Sequence, residues 1–251
     1  MAAAGIASLV LLLSASAIVL SIKDGQIVSQ CDYPGIVAVV IPDNGAIICN
    51  GVRSKGILYV PELCGAAIGD ILTKFPLVLV YGDGTKNLTI PVNSTGTFAD
   101  GIFQMPITEP MDPDCNSEAT LFDSSMDISN NSCELAGYGA EQLAGKIYDG
   151  TLKAAPLTKS TSVQCCKVIF NSLTKSQQGV ILNKQAPLNC VASSGAGCGL
   201  GDLGAPVYCR NSAGEPVVVG LAASFPCENE GTFVIYDLTK SDSGFKFGIS
   251  A

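Results

Sequence analysis

Short apolar runs separated by turn residues make up most of the chain. Ile36 to Ile41 is followed by Pro42-Asp43-Asn44-Gly45, and the Asn-Gly pair leads into Ala46-Ile47-Ile48-Cys49, a β-hairpin signature. Phe75 to Tyr81 closes on Gly82-Asp83-Gly84, and Val217 to Leu221 and Thr232 to Leu238 have the same character. No segment carries a long, capped amphipathic helix pattern. Many short strands punctuated by Gly, Pro and Asn predict an all-β barrel or sandwich. Residues 107–132 are polar and rich in Pro, Asp, Ser and Asn, and they predict a linker between two halves of similar size.

The N-terminal stretch differs. Residues 2–22 carry no charge, Ile6 to Leu13 form an apolar centre, and Ala15-Ser16-Ala17 is a small-x-small site. This predicts a secretory signal peptide over residues 1–17, cut near Ala17, with a short leader over residues 18–26. A membrane anchor is the competing reading; the serines and the cleavage site favour the signal peptide, and no membrane attachment is expected after cleavage.

Composition narrows the function. The 251 residues include 11 cysteines and no histidine, and 14 basic against 22 acidic residues give a net charge of −8. An acidic chain of this kind has no electrostatic footprint for nucleic acid. Without histidine, the commonest general base, the commonest metal ligand and every Ser-His or Cys-His mechanism are missing. No metal site and no cofactor are expected; Asp112, Asp114 and Glu118 read as a solvated acidic loop. Cysteines behind a signal peptide predict disulfides. The sequons at Asn87, Asn93 and Asn130 stand in polar, turn-rich stretches suited to glycan attachment.

Several motifs then fall in one order. Ile27-Val28 follows the leader. Cys49-Asn50-Gly51 precedes Ile57-Leu58-Tyr59-Val60-Pro61-Glu62-Leu63-Cys64. Cys133-Glu134-Leu135-Ala136-Gly137-Tyr138-Gly139 comes later, followed by Cys198-Gly199-Leu200-Gly201-Asp202-Leu203-Gly204-Ala205-Pro206 and by Val219-Gly220-Leu221-Ala222-Ala223-Ser224-Phe225-Pro226-Cys227. This series resembles the trypsin/chymotrypsin family of serine proteases over nearly all of the mature chain. The resemblance implies two six-stranded antiparallel β-barrels packed together, with little helix. The domain would span 27–251, with the first barrel at about 27–106 and the second at about 133–251.

The resemblance also implies a site that has lost its chemistry. Leu203 replaces the nucleophilic serine, Leu63 stands at the histidine position, and Asp100 is at best the third member of the triad. The substrate-pairing strand reads Ser224-Phe225-Pro226, where proline has no N–H to donate. The family is activated by cleavage just before Ile-Val-Gly-Gly, whose freed amine pairs with the aspartate beside the serine. Here Ile27-Val28-Ser29-Gln30 stands for that motif and Asp202 for the aspartate. The implied disulfides are Cys49–Cys64, Cys133–Cys209, Cys198–Cys227, and Cys190 with Cys165 or Cys166. Cys31 with Cys115 is a fifth candidate, and the odd count leaves one cysteine either buried as a free thiol or available to a partner chain.

The expectation is therefore a secreted protease homologue that is not an enzyme. It would act by binding an extracellular protein partner, as a regulator or cofactor in a process such as immunity or reproduction. The alternative is a structural or small-ligand-carrying glycoprotein, with Leu63, Leu203 and Phe225 lining a closed apolar cleft.

Overall fold

A computed structural model describes residues 22, 25–82, 84–111, 118–128, 132–139, 150–159, 188–193, 202–223 and 232–238. The first half contains β1 (Gln26–Ile27), β2 (Ile36–Ile41), β3 (Ala46–Ser54), β4 (Ile57–Pro61), helix α1 (Glu62–Leu72), β5 (Leu77–Tyr81), β6 (Lys86–Ile90), β7 (Thr97–Ala99) and β8 (Ile102–Pro106). The second half contains β9 (Cys133–Gly137), β10 (Lys153–Lys159), β11 (Leu188–Ser193), β12 (Pro206–Arg210), β13 (Pro216–Ala222) and β14 (Thr232–Asp237).

The strands form two antiparallel sheets. One runs β6-β5-β2-β3-β4-β8-β7. The other runs β1-β10-β11-β14-β13-β12-β9, and β9 also pairs with β10, so its six long strands close into a barrel with β1 attached. The Asn44-Gly45 turn joins β2 to β3 as predicted, with Gly45 at φ 66° and Ala46 N–H donating to Asn44 Oδ1. Closure abolishes sheet edges in the second barrel, where unpaired N–H and C=O groups would otherwise invite association.

Why the strands are apolar on both faces becomes clear from the packing. Along β2, Val37 and Val39 enter the interior of the first sheet with Cys49, Leu58 and Leu79. Their neighbours Ile36, Ala38 and Val40 face the other way and meet Tyr138, Tyr208, Val218 and Leu221 of the second half. The same alternation puts Val217 and Val219 of β13 inside the second barrel and Val218 in the shared layer. A strand with a core on each side needs no polar face.

The linker is structural at its end. Glu118, expected in a solvated loop, accepts the Gly56 N–H with both carboxylate oxygens and pairs with the buried Arg53 at 3.3 Å. Ala119 N–H donates to the Arg53 carbonyl and Ser54 Oγ donates to the Ala119 carbonyl, so residues 118–119 cross β3 like a clasp.

Two tyrosines seal the layer between the halves. The rings of Tyr33 and Tyr208 meet edge to face at 5.3 Å. Tyr33 OH donates to Glu134 Oε2 and Tyr208 OH to the Pro34 carbonyl, each at 2.8 Å. Burial, then the bond to Glu134, holds the Tyr33 phenol well above its ordinary range. Burial, then the neighbouring Tyr33, does the same for Tyr208. The folded chain therefore keeps protons that the unfolded chain releases near pH 10, so stability is full below that pH and falls above it. We expect unfolding free energy measured in urea to fall above pH 10, and Tyr208→Phe to reduce that slope by about 1.4 kcal/mol per pH unit.

Candidate functional site

The site is built where the two halves touch, around the turn Asp202-Leu203-Gly204-Ala205. Ala205 N–H donates to the Asp202 carbonyl at 2.9 Å and closes the turn, and Gly204 N–H donates to the Ala222 carbonyl of β13 at 2.8 Å. Leu203 is 5 % exposed and packs with Cys49, Val60 and Cys64 in the core of the first half. Its carbonyl accepts the Asn50 N–H at 2.7 Å, and Asn50 Oδ1 accepts the Tyr138 N–H at 3.0 Å. Tyr138 OH lies 2.7 Å from Gln30 Oε1, and Gln30 Nε2 donates to the Ile36 carbonyl. Leu203, Asn50, Tyr138 and Gln30 thus form a buried polar chain across the interface, in the dry setting where each bond counts most.

Gly204 is required there. Its φ is +78°, and a Cβ would fall on the Asn50 carbonyl and crowd Pro61 Cδ. Gly204→Ala is expected to cost about 2 kcal/mol, from left-handed strain and backbone displacement together, measured by urea unfolding.

The other two positions that the resemblance implies for the triad are both exposed. Leu63 lies in the first turn of α1 and is 49 % exposed. Asp100 is exposed in the turn between β7 and β8, at φ 50°. Glu62 N–H donates to the Gly101 carbonyl at 2.8 Å and ties the start of α1 to that turn, while the Tyr236 ring of β14 lies against Gly101. Leu63 and Leu203 are not buried together: one faces solvent and the other is core. The closed apolar cleft expected from these two leucines is therefore absent among the described residues. Ser224, Phe225 and Pro226 lie outside them.

Asp202 is the charged residue buried at this turn, 1 % exposed, and its Oδ2 accepts the N–H of Ile22 at 3.0 Å. Ile22 is itself 1 % exposed. Ile27, expected in this role, is 75 % exposed in β1. The residue seated against Asp202 is five positions earlier than the motif Ile27-Val28 suggested. The signal was present: Ile22-Lys23-Asp24-Gly25 keeps the isoleucine and the last glycine of Ile-Val-Gly-Gly, but Lys and Asp obscure the middle.

The disulfides Cys49–Cys64 and Cys133–Cys209 form as expected. Cys31 and Cys190 are also disulfide-bonded. Cys115, Cys165, Cys166, Cys198 and Cys227 lie outside the described residues, as does Asn130. Asn87 is exposed on β6 and Asn93 is exposed in the turn after it. Among the described residues no three His, Cys, Asp or Glu side chains gather as metal ligands, and no helix is long and apolar enough to cross a membrane.

The arrangement matches a solved structure described as neuropsin, a serine protease expressed in the limbic system of mouse brain. The match has a TM-score of 0.59 and 16 % identity, and covers 86 % of this chain and 95 % of that one. The fold is that of a trypsin-like serine protease. No family model and no curated protein matches the sequence. The expectation that the chain is not an enzyme is corrected by the structural match: the scaffold is one that a serine protease uses, and that expectation is dropped.

Proposed function

We propose that this trypsin-fold protein is secreted and acts by binding an extracellular protein partner, as a regulator or cofactor in a process such as immunity or reproduction. The observation that carries the reading is the turn at Leu203. Where the resemblance puts a nucleophile, a leucine is packed into the core and its carbonyl clasps the other half. The turn serves cohesion, which leaves the loops between strands as the surface available for recognition. Secretion is supported by the uncharged N-terminal stretch, by the disulfides and by the exposed sequons at Asn87 and Asn93.

The test is affinity co-purification of the tagged, secreted chain from its native fluid, with and without reductant. A saturable protein partner is expected. A partner seen only without reductant as a covalent adduct would place the link on a cysteine. Recovery of the chain alone at saturating fluid concentrations would overturn the reading.

A further inference from the structure

An open groove runs beside α1, and no residue of the Leu203 turn lines it. It has a volume of about 540 Å³, within the range of sites that hold a small ligand. Its floor exists because of glycines. A Cβ on Gly65 or Gly96 would strike the Phe103 ring, so these two glycines let that ring lie flat between helix and loop. Gly69 faces open space: apart from its own helix, no atom lies within 4 Å of the position its Cβ would take. Phe98 stands at the rim, 55 % exposed, with its ring 4.8 Å from Phe103. Asp70 and Thr73 add polar groups along the helix side.

The other wall of this groove is the sequon itself, Asn93-Ser94-Thr95. Asn93 is exposed and held at φ 63°, a left-handed conformation that asparagine tolerates. Its N–H donates to the Leu72 carbonyl at 2.9 Å, at the end of α1, and Ser94 Oγ donates to the Pro91 carbonyl at 2.8 Å. The acceptor asparagine is therefore fixed to the edge of a mostly apolar groove that no side chain of the described residues fills. An aromatic face presents negative charge density toward the weakly positive C–H bonds of a pyranose ring, while hydroxyl groups at the ring edge suit a carboxylate and a hydroxyl at the rim.

We propose that Asn93 is N-glycosylated and that the first N-acetylglucosamine units of its own glycan occupy this groove, stacked against Phe98 and over Gly69. The glycan on Asn87, which projects from the exposed side of β6, extends into solvent and serves as the internal control. Glycosylation requires the secretory route, so the inference rests on the proposed secretion; the groove's occupant does not depend on which leader delivers the chain.

The experiment expresses the full chain in animal cells, once with its own leader and once with a heterologous signal peptide. Site occupancy is read by glycopeptide mass spectrometry, and release of each glycan by peptide N-glycosidase is timed on the native protein. Asn93 is expected to be occupied and to release its glycan at least about tenfold more slowly than Asn87. Phe98→Ala removes the stacking surface, and Gly69→Leu fills the groove with a residue that favours helix. Each is expected to bring the Asn93 rate up to that of Asn87 without changing the latter. An unoccupied Asn93 in the chain carrying the heterologous signal overturns the proposal, as do equal release rates in the unmodified protein or rates that neither variant changes. Glycans present only with the heterologous signal would overturn secretion by the native leader and leave the groove result to stand on its own.

Discussion

Asp202→Ala, made in a chain that begins at Ile22, is expected to lower the unfolding free energy by about 4 kcal/mol, because it strips the partner from a buried charge. The same substitution in a chain with residues still attached before Ile22 is expected to cost about 2 kcal/mol, the worth of a hydrogen bond between a neutral N–H and a carboxylate. The difference arises at one atom. In the longer chain Ile22 N is an amide, donating at 3.0 Å to Asp202 Oδ2. In the shorter chain the same nitrogen is an ammonium, and the contact becomes an ion pair with both partners 1 % exposed. Urea unfolding of the two chains with and without the substitution gives the coupling directly. A coupling near zero would show that Asp202 is held by groups other than Ile22. The longer form corresponds to the cut expected near Ala17 and the shorter one needs a further cut after Ser21, so N-terminal sequencing of the secreted protein reads which of the two forms is present.

Loss of the Cys133–Cys209 bridge is expected to have the other large effect. It spans 76 residues, and releasing a loop of that length from the unfolded ensemble corresponds to about 4 kcal/mol. The bridge joins residues directly opposite each other on β9 and β12. The paired strands hold that geometry in the folded state, which puts most of the effect in the unfolded chain. The Cys49–Cys64 bridge, spanning 15 residues, is expected to contribute about 3 kcal/mol by the same reasoning. Double Cys→Ala variants of each pair, compared by denaturant midpoint, check both values. An equal or reversed order would mean that native packing around Cys49 and Cys64, in the core beside Leu203, outweighs loop length.

The expected effects differ in how visible they are along the chain. The hairpin at Asn44-Gly45 could be read because a two-residue turn and its flanking strands are local. Helix α1 could not. Its N-cap is Pro61, which makes no side-chain capping bond, and Gly65 and Gly69 interrupt its pattern. The helix forms because Cys64, Ile68 and Leu72 enter the core of the first half and Phe103 needs the space over Gly65. Glu118 read as solvated because nothing nearby in sequence is basic enough to pair with it; Arg53 reaches it across β3.

By itself the sequence determined the β class of the fold and carried the ordered motifs whose resemblance implied the two disulfides described here. Those features depend on residue identity and on short-range periodicity, which survive in one dimension. Only the tertiary structure decided which isoleucine meets Asp202, a pairing across 180 residues. It also decided that Leu203 is core while Leu63 faces solvent, and that Asn93 lies beside a groove. Each of these depends on which distant surfaces exclude water together, and burial is a property of the packed chain rather than of any segment of it.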